Sequence, residues 1–317
     1  MIDFRYHIVS IVGIFLALAV GLVLGTTTLN PVLTKNLNDN VKALTADKQS
    51  LRNQLSQADS DLSHAGAFIS AVEQPLIAGR LTGHRVLIVA APGSSTSLRK
   101  SMAKAVADAG GLVTGQVAIT ADYLDQANQV RLGDVVNSVA PGTVTLPPGG
   151  TSGQRAAQLL ASLLLARTPP DTATPQADAA LTALSQAKFL KLISATVAPA
   201  DLALVISDDG TAVKPTPSAS TSTAPAPSDD SLLDLVGAAD SAGSGVVVAG
   251  TVNATKGSLL SAVRASGTSD TVSTVDSADS PQGTVQVVYA LAAQLRGDSG
   301  SYGANSGSDL PLPTPAP

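Results

Sequence analysis

The chain has no cysteine, no tryptophan, two methionines, three histidines and only 3% aromatic residues. The missing thiols exclude disulfides, thiolate metal sites and cysteine nucleophiles, but they do not name a compartment, because a disulfide-free domain is stable on either side of a membrane. Charge is also scarce: Asp, Glu, Lys and Arg make up 14% of 317 residues, with a net charge of −5, against about 25% in an average domain. With no basic run and few rings to stack on bases, nucleic acid is excluded as a partner. The length suits one sizeable globular core with accessory segments.

What is abundant is concentrated at the amino terminus. No charged residue occurs from Ile8 to Thr34, and the 22 residues from Ile8 to Leu29 make a helix of about 33 Å, enough to cross a hydrocarbon core of about 30 Å. The rival reading is a cleaved signal peptide. The run exceeds the usual ~7–15 apolar residues, however, and Gly25-Thr26-Thr27-Thr28-Leu29 offers no small-x-small cleavage site. Gly13, Ala17, Gly21 and Gly25 fall at every fourth position, a stripe along which two membrane helices can approach closely. The flanking charges, Arg5 before and Lys35 and Lys42 after, do not fix the orientation. The long downstream domain and its Ser/Thr/Pro-rich segments favour a cytoplasmic 1–7 and an extracytoplasmic remainder.

From 30 to 74 the spacing predicts a coiled coil. Leu37, Val41, Leu44, Lys48, Leu51, Leu55, Ala58, Leu62, Ala65 and Ile69 alternate steps of four and three, with Lys48 the one polar member of the seam. Leucine at d suits two parallel strands, and Asp47 at g would face Arg52 at e of a second copy, so a homodimer is expected. An amphipathic helix packed on its own domain would share this pattern over short lengths. Pro75 is expected to stop the helix and Gly79 to open a turn.

Residues 79–297 read as a soluble α/β domain with a mostly parallel sheet covered by helices on both faces. Apolar, β-branched runs at 84–91, 112–120, 202–207, 245–249 and 271–275 predict strands. Between and after them, helices are predicted at 97–109, 122–139, 154–167, 175–189, 231–242 and 256–265, and a helical or mixed stretch at 284–295. Two segments, 214–230 and 298–317, are too rich in Ser, Thr, Gly and Pro to bury a core and are expected to be disordered.

Candidate chemistry is sparse. Pro92-Gly93-Ser94-Ser95-Thr96 follows the first strand, where backbone N–H groups can meet an anion, although it lacks the spacing of either nucleotide-binding glycine motif. Asp208 and Asp209 follow another strand, and Gly210 makes that pair read as a turn. His7, His64 and His84 lie before the membrane helix, on the coil and at the opening of a strand, so no triad or nucleophile elbow emerges. No catalytic, cofactor-binding or metal-binding residue is expected, and the chain is read as a non-enzyme.

Several segments carry a resemblance: FRYHIVSIVGIFLALAVGLVLG at the start, GRLTGHRVLIVAAPG after the coil, and VSTVDS, GTVQVVYALAAQLRG and GSYG towards the end. Together they resemble the actinobacterial MctB family of copper transporters, which includes SteB-like envelope proteins. The likeness covers nearly the whole chain, with 214–230 an apparent addition. It implies a membrane protein of the cell envelope in copper transport or export, with copper as the transported ion. SteB-like members imply an alternative, a scaffold whose coil recruits a SteA-like partner in cell-wall division or hydrolase control. No site residue carries over, because the matching segments are apolar or turn residues. Copper(I) prefers Cys and Met sulfur or imidazole, and the residues show no ligand set for it.

Overall fold

The structure is a computed structural model describing residues 4–28, 30–207, 230–251, 258–304 and 308. Asp208, Asp209 and all of the 214–230 segment except Asp230 lie outside these residues. The chain divides into two compact units, 1–65 and 66–317.

The first unit is helical. Helix α1 (Phe4–Thr28) contains a stretch, Tyr6–Gly25, long and apolar enough to cross a membrane. Helix α2 (Asn30–Ile77) begins in this unit and ends in the second. On its first part Leu37, Val41, Leu44, Leu51, Leu55 and Leu62 are 53% to 67% exposed.

The second unit is a three-layer α/β domain. Its strands are β1 (Arg85–Ala90), β2 (Leu112–Ile119), β3 (Leu190–Leu192), β4 (Leu202–Ile206), β5 (Gly245–Ala249), β6 (Ser273–Val275) and β7 (Ser301–Tyr302), in the sheet order β3-β2-β1-β4-β5-β6-β7. Every pairing is parallel except that of β2 with β3. The helices are α3 (Thr96–Asp108), α4 (Ala121–Leu124), α5 (Gln129–Val139), α6 (Ser152–Leu164), α7 (Pro175–Gln186), α8 (Asp230–Ala242), α9 (Leu259–Ala265) and α10 (Pro281–Gln294).

The central strands are apolar on both faces, as a sheet covered by helices requires. Leu87, Val89, Ala203, Val205, Val246 and Val248 point into one core with α5, α6, α7 and α8. Val86, Ile88, Leu202, Leu204, Ile206, Val247 and Ala249 point into the other with α3, α10 and the end of α2. Caps set the helix starts. Ser95, Thr174, Ser258 and Ser280 each accept a backbone N–H, and Thr151 forms a reciprocal capping box with Gln154.

Four expectations are corrected. Pro75 does not stop its helix, which runs to Ile77. The proline sits in the last turn, where only a few more carbonyls need donors, and burial of Ile77 and Leu81 in the second core holds the turn in place. Ile69, placed on the coil seam, packs against the core of its own domain. The predicted helix at 122–139 breaks, because Asp125 adopts an extended backbone and its carboxylate caps Ala127 N–H at 2.9 Å. The tail, expected without structure, contributes β7, whose residues pair with Thr274 and Val275.

Candidate functional site at the carboxyl edge of the sheet

Strand β1 has β2 on one side and β4 on the other, so the chain order reverses there. In an open parallel sheet, the crevice beyond the carboxyl ends of such strands is where ligands bind. The edge is continuous: Ala91 N–H donates to Ile206 O at 2.8 Å, Ser207 to Ala249 O at 2.9 Å, Gly250 to Val275 O at 2.8 Å and Asp276 to Tyr302 O at 3.1 Å. The structure thus places the Pro92–Thr96 loop and Ser207, which directly precedes Asp208, on neighbouring strand ends.

The hydroxyls of Ser94 and Ser95 serve the loop itself. Ser94 Oγ donates to Ala91 O at 2.7 Å, and Ser95 Oγ accepts Leu98 N–H at 3.4 Å while lying 2.6 Å from Ser97 Oγ. This is the geometry of a loop that turns into a capped helix.

The most developed polar cluster on this edge centres on Asp276, which sequence reasoning missed. Its side chain is fully buried just past β6. Arg264 of α9 donates from Nη1 to Asp276 Oδ2 at 2.9 Å, from Nε to Thr274 Oγ1 at 2.9 Å and from Nη2 to Tyr302 O at 3.0 Å. Ala304 N–H reaches Asp276 Oδ1 at 2.7 Å and Ser308 Oγ reaches Oδ2 at 2.9 Å. A Cβ added to Gly303, at φ +137°, would lie 1.9 Å from Asp276 Oδ1, so the chain passes close enough to make this network only as glycine. Beside it, Ser277 Oγ donates to Gln286 Oε1 at 2.8 Å, and a Cβ on Gly283 would fall 1.7 Å from Ser277 O. The segments VSTVDS, GTVQVVYALAAQLRG and GSYG are therefore one interlocked unit. An Asp past a strand end, followed by a glycine-flanked aromatic, was the available sequence signal.

At the opposite, amino edge, His84 Nδ1 lies 2.6 Å from Asp201 Oδ2, and Asp201 Oδ1 accepts Arg85 N–H at 2.6 Å. Arg85 is tied in turn to Pro170 O and Asp171. The six residues of β1 separate His84 from Ser94 and Ser95 by roughly 20 Å at ~3.3 Å per residue, so this His–Asp pair cannot act on those hydroxyls. Among the described residues, no three His, Cys, Asp or Glu side chains gather to hold a metal ion. His7 and His64 are exposed on their helices. An added Cβ at Gly13, Gly21 or Gly25 meets nothing within 4 Å, so that stripe is open.

Fold and sites together define a class: an open-sheet α/β domain carried behind a helix long and apolar enough to span a membrane, its polar clusters tying secondary-structure elements together. Within that class the chain belongs to the MctB family, whose model, described as "Copper transport outer membrane protein, MctB", matches residues 1–313. Relatives named "Copper transporter MctB" are 29% identical over 322 residues in Mycobacterium tuberculosis and in Mycobacterium bovis, covering 97% of this chain and 98% of theirs. The relative of the same name in Mycobacterium leprae is 28% identical over 325 residues, with the same coverage. The family expected from the sequence is the one found.

Proposed function

We propose that this protein takes part in copper transport and copper homeostasis in the cell envelope, as a single-pass membrane protein. The observation that carries this reading is the family match across residues 1–313 together with relatives named as copper transporters over nearly their whole length. Residues 1–7 lie in the cytoplasm, α1 crosses the membrane, and the α/β domain is extracytoplasmic. The first part of α2 is a coiled-coil stalk, and Gly13, Ala17, Gly21 and Gly25 form the packing face of the membrane helix. The domain is not an enzyme. The scaffold alternative, with a SteA-like cell-wall partner, rests on the resemblance to SteB-like members alone, and copper transport is the reading that the relatives' names support.

The test is deletion and complementation. A strain lacking the gene accumulates more cell-associated copper and grows less well on copper, and the wild-type chain restores both. Unchanged copper content and sensitivity in the deletion strain would refute the proposal.

A further inference from the structure

The apolar stripe of α2 has two kinds of surroundings. In the second unit, Ile69 packs against a core that contains Ile77 and Leu81 together with residues of α3 and α10. Arg80 lies 4.6 Å over the Tyr289 ring and donates to its hydroxyl, and that hydroxyl donates to Leu76 O at 3.3 Å. The end of the helix is thus rooted in the domain. In the first unit the same heptad positions, from Leu37 to Leu62, are open. Exposed leucines repeating at this spacing on a water-facing helix are costly at ~25 cal/mol per Å² of apolar surface.

We propose that α2 changes its covering surface at Gly66: from Leu37 to Leu62 the stripe is covered by the same stripe of a second copy, parallel and in register, and from Ile69 onward by the chain's own domain. This deepens the stalk reading above, naming the partner and the point where pairing ends.

Charge complementarity selects a second copy as the occupant. In parallel register, each g residue faces the e residue five positions on in the other chain, which sets Asn40 against Thr45, Asp47 against Arg52, Gln54 against Asp59 and Asp61 against Gly66. One pair attracts and none repels, so the helix is compatible with itself. Lys48 at a meets its own equivalent at the seam. That costs stability but penalises any other register, because a shift would bury each lysine against leucine. Ala65 closes the seam, and Pro281 Cγ lies 3.9 Å from a Cβ built on the adjacent Gly66, where the domain takes over.

The absence of cysteine gives this proposal a clean test. Single substitutions in the full chain, in its native membrane, leave one thiol per copy, and a disulfide forms only where two Cβ atoms come within about 4.5 Å. Under diamide, Leu44→Cys and Leu51→Cys should cross-link most of the protein to dimer on a non-reducing gel, whereas the outward-facing Ala46→Cys and Ser60→Cys should not. Ile69→Cys should stay monomeric on the gel, because its side chain is held by its own domain. Equal cross-linking at Ile69 and Leu51 would refute the change of cover at Gly66. No cross-linking at Leu44 or Leu51 would refute the second copy as occupant. Neither outcome bears on copper accumulation, so failure here is distinguishable from failure of the copper reading.

Discussion

Removing the charge of Asp276 tests whether the interlocked carboxyl-terminal segments are a structural latch. Asp276→Asn keeps the shape but leaves Arg264, whose side chain is 15% exposed, without its counter-ion beside a site of zero exposure. Removing one partner of a buried ion pair costs about 3–5 kcal/mol, because the remaining charge stays desolvated and unpaired. For a domain of this size each kcal/mol lowers the melting temperature by roughly 2–4 °C, so a fall of about 6–20 °C is expected in thermal unfolding of the detergent-solubilised chain. Ala304 N–H and Ser308 Oγ lose their charged acceptor too, so β7 should loosen and chymotrypsin should cut sooner after Tyr302, which is 3% exposed in the intact latch. The double variant Asp276→Asn/Arg264→Met removes both charges and should lose much less than the sum of the two single changes. A melting temperature within about 2 °C of wild type for Asp276→Asn, or single effects that add to within ~0.5 kcal/mol, would show that the ion pair does not hold the latch.

Gly303→Ala would bring a methyl group to 1.9 Å from Asp276 Oδ1 at a backbone angle that disfavours any side chain, and Gly283→Ala would bring one to 1.7 Å from Ser277 O. Each should cost at least the upper end of the ~1–3 kcal/mol typical of overpacking, read as the midpoint of denaturant unfolding. Burial raises the pKa of Glu73, with Asp108 adding to the effect and Lys104 opposing it. A carboxylate raised above its unfolded value is destabilising when ionised, so that cost is present at neutral pH and relieved as pH falls through the folded pKa towards 4.5. Glu73→Gln should therefore unfold at a higher temperature than wild type at pH 7, with the gap closing by about pH 4. A gap independent of pH would remove burial as its cause. Leu51→Asp should convert the dimer to monomer in sedimentation with domain melting unchanged, whereas Ile69→Asp should lower domain melting and leave the dimer in place. The reverse pattern would place the domain contact and the seam the wrong way round.

What was legible in the sequence follows from how much apolar surface each element buries. The strand Gly245–Ala249 was predicted with its observed bounds, and 84–91 and 202–207 to within two residues, because strands covered on both faces appear as unbroken apolar runs. The edge strands gave no such signal. In Leu190–Leu192 the exposed Lys191 separates two leucines within three residues. Ser301 and Tyr302 sit among glycines and serines, and their extended state is imposed by β6 and the Asp276 network. The heptad spacing marks an apolar stripe, but periodicity cannot say which surface covers it, and Ile69, expected on the seam, packs against the domain core. The His84–Asp201 pair was beyond local pattern altogether: the two residues are 117 positions apart, and only the register of β1 against β4 brings them together.

The residues that favour copper are few enough in this chain to be tested together. Its only methionines are Met1 and Met102, and Met102 is fully buried in the core between α3 and the sheet. Its imidazoles are His7, His64 and His84, the last with Nδ1 committed to Asp201. Copper(I) favours sulfur, and one helix cannot enclose a polar path, since any route through hydrocarbon must be walled by protein on all sides. If the stalk pairs as proposed, a role in copper transport for such a chain would run through assembly, with two anchored domains presented to other proteins that supply the path. On that argument the triple variant His7→Gln/His64→Gln/His84→Gln should restore copper content to the deletion strain as fully as wild type does, provided its melting temperature shows that the domain survives loss of the His84–Asp201 pair. If the variant folds and, when it also carries Leu51→Cys, cross-links as the Leu51→Cys chain alone does, but leaves the cells copper-loaded, the imidazoles handle the ion themselves and the assembly argument is wrong.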